Sequence, residues 1–227
     1  MSKCYLYDVC NHKDCDKDFC LRKYKMDSLY SAALMTDAQK QHIVLKVDQD
    51  NTDLEQFQQL AAIERDICKF IEEGKNLYLH SANCGNGKSS WSIRLAEAYF
   101  NKIWARSNTT CRVLFISVPR FLLALKDSIS AKNSYVEYIK DNVLTADLVI
   151  WDDIASKMGS EFELTHLQNI IDNRISLGKS NIYTTNLNRQ QLYNALGERL
   201  TSRIANMSID IELHGSDKRF LKLEGNQ

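Results

Sequence analysis

Proline is almost missing: Pro119 is the only one in 227 residues. With a 44% hydrophobic content, this excludes a proline-rich disordered chain and describes an ordinary folded one. No charge of one sign prevails, since Lys plus Arg and Asp plus Glu both number 29. The whole-molecule field therefore neither announces nor excludes a nucleic-acid partner, and any basic surface must be local. No run of about 18 apolar residues occurs, and Met1-Ser2-Lys3-Cys4 opens no apolar signal region. A soluble, cytoplasmic protein without a membrane partner is expected. There is no internal repeat and no low-complexity tract, and the length suits one α/β core plus a small accessory module.

The cysteines are unevenly placed. Four of the seven, Cys4, Cys10, Cys15 and Cys20, fall in the first twenty residues with His12 among them. In a reducing compartment such a cluster binds metal more often than it forms disulfides. Four soft ligands suit a closed tetrahedral Zn²⁺ site, although the spacing lacks paired Cys-x2-Cys knuckles. A Cys4 iron–sulfur cluster and four free thiols are the alternatives. Phe19, Leu21 and Tyr24 beside Arg22, Lys23 and Lys25 offer a surface for protein or DNA. Cys68, Cys84 and Cys111 are scattered and read as small buried or loop residues. The expected division is a Cys-rich zinc module and connector over 1–45, with one catalytic domain over 46–227.

Residues 42–50 read as extended, with Ile43, Leu45 and Val47 alternating. Thr52-Asp53-Leu54-Glu55 fits a capping box. Leu60, Ile63, Ile67, Phe70 and Ile71 follow at helical spacing towards a C-terminal cap at Gly74. Beyond it, apolar runs of strand length (77–80, 112–118, 148–151, 182–185 and 208–213) alternate with helical patterns over 89–104 and 161–177. Such alternation predicts a parallel sheet covered by helices on both faces.

Ala82-Asn83-Cys84-Gly85-Asn86-Gly87-Lys88-Ser89 follows the first strand and precedes a helix. It matches the phosphate-loop pattern Gly-x4-Gly-Lys-Ser/Thr except that Ala82 replaces the first glycine. Gly85 and Gly87 let backbone N–H groups meet phosphate without Cβ interference. Asn83 to Ser90 would cradle ATP, Lys88 would neutralise the β/γ-phosphates, and Ser89 would ligate Mg²⁺. The alternative is a plain glycine turn. Leu148-Val149-Ile150-Trp151-Asp152-Asp153 ends an apolar strand in two acids. Asp152 would hold Mg²⁺, and Asp153 would orient or deprotonate the attacking water. The alternative is a turn after the strand. Asn186, closing the strand Thr184-Thr185-Asn186, would hold that water against the γ-phosphate.

These motifs in this order resemble the AAA+ ATPases (a P-loop NTPase fold with a RecA-like α/β core), and among them the replicative-helicase loaders of the DnaC/DnaI type. The likeness also rests on Ile170-Ile171-Asp172-Asn173-Arg174, on Leu196-Gly197-Glu198-Arg199-Leu200-Thr201-Ser202-Arg203-Ile204, and on Gly215-Ser216-Asp217-Lys218-Arg219. It covers roughly residues 50–225. The resemblance implies a slow, DNA- or partner-stimulated ATPase that delivers a hexameric replicative helicase onto single-stranded DNA. It implies self-association into an ATP-dependent spiral, in which Arg203 is the arginine finger acting on a neighbour. Asn186 matches the first sensor and Arg219 the second-sensor arginine. Helices between Val118 and Asp147, with Lys126 and Lys132, would track DNA; Phe121, Leu122 and Leu125 there suit a core instead. The compact size and divergent head point to a phage-encoded member. The rivals are a transposition-helper ATPase, a small-molecule P-loop kinase and a non-hydrolysing zinc adaptor.

Overall fold

The computed structural model describes residues 4–6, 10, 19–40, 45, 52–108, 110–156 and 159–217. Cys15, His12, Ile43, Val47, Lys218 and Arg219 lie outside the described residues. Five strands, β1 (Asn76–His80), β2 (Val113–Ser117), β3 (Leu148–Asp152), β4 (Ser180–Thr185) and β5 (Ile209–Glu212), form one sheet of order β2-β3-β4-β1-β5. Every pairing is parallel.

Side chains alternate cleanly across this sheet, as a two-residue period requires. Leu77, Leu79, Val113, Phe115, Leu148, Ile150 and Ile182 enter one apolar layer. Tyr78, Leu114, Ile116, Val149, Trp151 and Tyr183 enter the other. Helices α1 (Leu21–Ala32), α2 (Leu54–Arg65), α3 (Ile67–Glu72) and α4 (Lys88–Ile103) fill the first layer. Helices α5 (Val118–Asp127), α6 (Ser134–Asn142), α7 (Glu161–Ser176) and α8 (Arg189–Thr201) fill the second. The expected α/β architecture is therefore present.

Two local expectations change. The run 54–72 is two helices broken at Asp66, whose φ of −105° and ψ of 29° leave the helical region. The capping box at Thr52 is replaced by Asp53 as N-cap, and Asp53 makes no capping bond with its side chain. Its carboxylate instead accepts the backbone N–H groups of His214 at 2.7 Å and Gly215 at 2.9 Å. Gly74 does close the run, with a φ of +62°. A Cβ there would stand 2.5 Å from the Gly178 carbonyl oxygen, so both the turn and the close approach need glycine.

Helix α1 belongs to the same core as the sheet. Tyr30 meets Phe100 of α4 edge-on at 5.1 Å, Arg22 lies over Trp104, and the Ala33 carbonyl accepts from Phe115 N–H on the outermost strand. This covers part of a strand edge that would otherwise be open to another chain.

Arg174 is the most deeply buried charge, with no exposed surface. Its guanidinium donates to Asn181 Oδ1 at 2.7 Å and to the carbonyls of Val143, Ala146 and Ser180. Burial lowers its pKa to about 10, so it remains charged at neutral pH. It ties α7, the start of β4 and the turn before β3 together. Replacing Arg174 with Met leaves these buried acceptors unpaired and costs about 3 kcal/mol. Thermal unfolding is expected to shift down by about 6–12 °C, checked by calorimetry.

Candidate nucleotide site

The loop from Ser81 to Gly87 leaves β1 and enters α4 with Gly85 at a φ of +72° and Gly87 at +106°. Both conformations favour glycine. Ala82 is exposed and is not among the residues of positive φ, which explains why alanine suffices there. Asn83 and Cys84 are exposed, while Asn86 is fully buried. Asn86 donates to Ser81 Oγ at 2.5 Å and to the Leu213 carbonyl at 3.2 Å. Its Oδ1 accepts from Lys88 Nζ at 3.0 Å, and the same ammonium donates to the Asn83 carbonyl at 2.8 Å. The buried lysine is thus anchored on two oxygens of the loop. Ser89 and Ser90 lie half-buried in the first turn of α4, whose N-terminal backbone N–H groups favour an anion.

Asp152 ends β3 on the pleat side of Leu148 and Ile150, facing α4. Burial pushes its pKa up, and the neighbouring Asp153 adds to this. Hydrogen bonds from Ser89 and Thr184 and the charge of Lys88 act the other way. Thr184 Oγ1 donates to Asp152 Oδ1 at 2.8 Å and accepts from Asp153 N–H at 3.0 Å. Asp153 has a φ of 56°, a rare conformation for a residue with a Cβ and of a kind that clusters at functional sites. Asn186 lies half-buried just past the end of β4. Because β1, β3 and β4 run parallel, the loop, the two acids and Asn186 all finish on one edge of the sheet. Thr184 was missed in the sequence, although it shares a strand face with Asn186 two residues on.

The segment after β5 runs against the loop. Asn83 Nδ2 donates to the carbonyls of His214 and Gly215, and a Cβ on Gly85 would stand 1.8 Å from Asp217 Oδ1. Asp53, 1% exposed, fastens this segment from the far side. Charge-assisted bonds from backbone N–H groups to a carboxylate are among the stronger kind.

The other expected site residues lie elsewhere. Arg203 makes an ion pair with Asp172 at 2.9 Å, and Arg199 makes one at 3.1 Å to the other oxygen of the same carboxylate. Lys126 at the end of α5 and Lys132 beyond it are exposed, while Phe121, Leu122 and Leu125 are core. Arg120 sits 4.6 Å over the Tyr135 ring, and Tyr138 donates to the Ala32 carbonyl. Both tyrosines are therefore engaged in packing.

In the head, Cys4, Cys10 and Cys20 are free thiols, and the Cys20 sulfur accepts from Lys23 N–H as N-cap of α1. Among the described residues no group of three His, Cys, Asp or Glu could hold a metal ion, so the tetrahedral Zn²⁺ site has no support among them. Phe19, Leu21 and Tyr24 are exposed. Arg22 and Lys25 are tied to Asn101 and the Ala105 carbonyl at the end of α4. Burial raises the Cys111 thiol to about 11. No helix among the described residues is long and apolar enough to cross a membrane.

Strand order, glycine loop and paired acids define a parallel α/β core of the P-loop kind. No protein-family model matches the chain. It is similar to the replicative helicase loader DnaC of Escherichia coli K12, with 28% identity over 127 residues. That match takes in 56% of this chain and 49% of the relative, so the chain spans about half the length of the curated relative. The crystal structure of the DnaC helicase loader superposes with a TM-score of 0.58 at 21% identity, over 71% of this chain and 90% of that one. AMPPCP-bound DnaA from Aquifex aeolicus gives 0.55 at 20%, over 78% and 53%. The likeness to DnaC-type loaders read from the sequence is thus present in both sequence and fold.

Two outcomes follow from this geometry. A carboxylate whose folded pKa is raised costs stability once pH rises above the ordinary carboxylate range, because the folded state must give up a proton it favours. Asp152→Asn is expected to leave the ligand-free melting temperature no lower than wild type at pH 7, while abolishing any rise caused by Mg²⁺ with nucleotide. Differential scanning fluorimetry reads both effects. Asp53→Ala is expected to loosen residues 213–217, seen as faster proteolytic clipping after β5 in a limited-digestion time course.

Proposed function

We propose that the chain is an ATP-driven loader that places a hexameric replicative helicase on single-stranded DNA. The observation that carries this is the convergence of Lys88, Ser89, Asp152 and Thr184 on one sheet edge, in a chain similar to DnaC. Lys88 and the N–H groups from Gly85 to Ser89 would hold the β/γ-phosphates of ATP. The donors facing the loop from Ser89 and Asp152 are hard oxygens, which fits Mg²⁺. Held there, the ion would neutralise charge on the phosphate oxygens.

Asp153 would accept the proton of the attacking water, and Asn186 would orient that water in line. Arg203, on the surface and away from its own loop in the contacts it makes, would act on the γ-phosphate of a neighbouring protomer and couple hydrolysis to assembly. Arg219 would contact phosphate within its own subunit. The AMPPCP carried by the DnaA neighbour supports nucleotide binding by this core. Lys126 and Lys132 would meet the DNA backbone. Residues 1–45 would face the helicase as a module distinct in function from the ATPase at 46–227, with Cys4, Cys10, Cys15 and Cys20 as zinc ligands. The setting is the cytoplasm.

The test is ATP hydrolysis by purified protein with and without single-stranded DNA. Lys88→Ala is expected to fall to background, and Arg203→Ala to lose about a thousandfold of the stimulated rate. Hydrolysis indifferent to both DNA and Arg203 would remove the loader reading.

A further inference from the structure

Asp172 stands in the C-terminal half of α7 with its side chain 17% exposed, and both arginines of the Gly197–Arg203 segment turn to it. They are held differently. Arg199 donates from Nη2 to Asp172 Oδ2. With the Gln168 amide in the orientation that satisfies both of its ends, its oxygen accepts from Arg199 Nε at 2.9 Å and Nη1 at 3.3 Å. Arg199 is thus held through all three of its nitrogens, with the side chain still 70% exposed.

Arg203 meets Asp172 Oδ1 through Nε alone, the inner edge of the guanidinium. That contact is an ion pair and not an aligned hydrogen bond, for Oδ1 is buried and lacks a hydrogen-bond donor. Nη1 touches only the Met207 sulfur at 3.5 Å, a weak acceptor, and Nη2 has no acceptor among the described residues. The side chain is 41% exposed.

The backbone is shaped to bring this segment to α7. Gly197, at φ 78° and ψ 171°, breaks α8, in a region open essentially to glycine alone. A Cβ there would meet nothing within 4 Å, so conformation and not space demands the glycine. Residues Ser202–Asn206 then wind as a π-helix, a departure from α geometry that often marks functional sites.

We propose that Asp172 is a positioning residue for Arg203. It fixes the guanidinium by its inner edge through charge, and leaves the outer nitrogens free to take two oxygens of a phosphoryl group on a neighbouring copy of this chain. Arg199 occupies the second carboxylate oxygen and keeps Asp172 from turning away. Because the Arg203 contact is electrostatic and unaligned, the guanidinium can pivot onto phosphate without first breaking a strong hydrogen bond. This rests on the reading of Arg203 as the arginine acting across subunits.

The test is a double-mutant cycle on DNA-stimulated ATP hydrolysis, with nucleotide affinity followed by a fluorescent ATP analogue. Asp172→Ala is expected to lower the maximal rate about a hundredfold, as misplacing a reacting group does, with nucleotide affinity unchanged. Combined with Arg203→Ala it is expected to add nothing further, since both remove one function. Asp172→Asn, which keeps volume and fold but loses charge, is expected to show the same non-additivity with a smaller loss. Losses that multiply in the double variant, or an unchanged rate in Asp172→Ala beside a lost rate in Arg203→Ala, would overturn the positioning role alone. An unchanged rate in Arg203→Ala would remove the arginine reading and this proposal together.

Discussion

Five parallel strands must all present their C-terminal ends at one edge, and everything chemical in this molecule depends on that constraint. β4 lies between β1 and β3, so the glycine loop and the paired acids cannot lie on adjacent strands. The gap is filled by Thr184, whose one hydroxyl donates to Asp152 and accepts from the backbone of Asp153. Ser89 reaches the same carboxylate from α4. The intervening strand sets the lysine and the acids one strand apart on the same edge, where open α/β sheets place their ligands.

Three arginines show how one side chain serves opposite ends according to burial. Arg174 is wholly enclosed, and every direction of its guanidinium ends on an oxygen, so its charge welds loops from three parts of the chain. Arg199 and Arg203 stand on the surface and share one acid. Arg199 is held through all three nitrogens, whereas Arg203 is held by its inner edge and keeps its outer face open. Desolvation explains why Arg174 must be paired in every direction and the two exposed arginines need not be.

Much of this was legible in the sequence because it is local. The glycine loop and the acids at a strand end each occupy fewer than ten consecutive residues, each strand or helix of the alternation fewer than twenty, and their physics is set by near neighbours. The capping box at Thr52 failed for the opposite reason. Asp53 found stronger partners in His214 and Gly215, more than 150 residues away, and no local pattern announces that. The single helix expected over 54–72 failed at Asp66, where apolar spacing runs on but the backbone turns. Arg174, Asp172 and Thr184 were visible as residues but not as roles, since each role depends on which other element lies opposite. The cysteine spacing raised a metal reading for which the described residues give no cluster, Cys15 and His12 lying outside them.

Asp53 has a mechanical consequence. It joins the chain just before α2 to the chain just after β5, and the latter runs against the glycine loop. Tension on the residues leading out of Gly215 would be shared by two short charge-assisted bonds to Asp53 before it reached β5. The clasped segment is the one that Asn83 of the loop touches, so a pull there would be felt where phosphates would be held. Opening the clasp would free that segment while β5 stays in the sheet, which makes Asp53 a fuse set between traction and nucleotide.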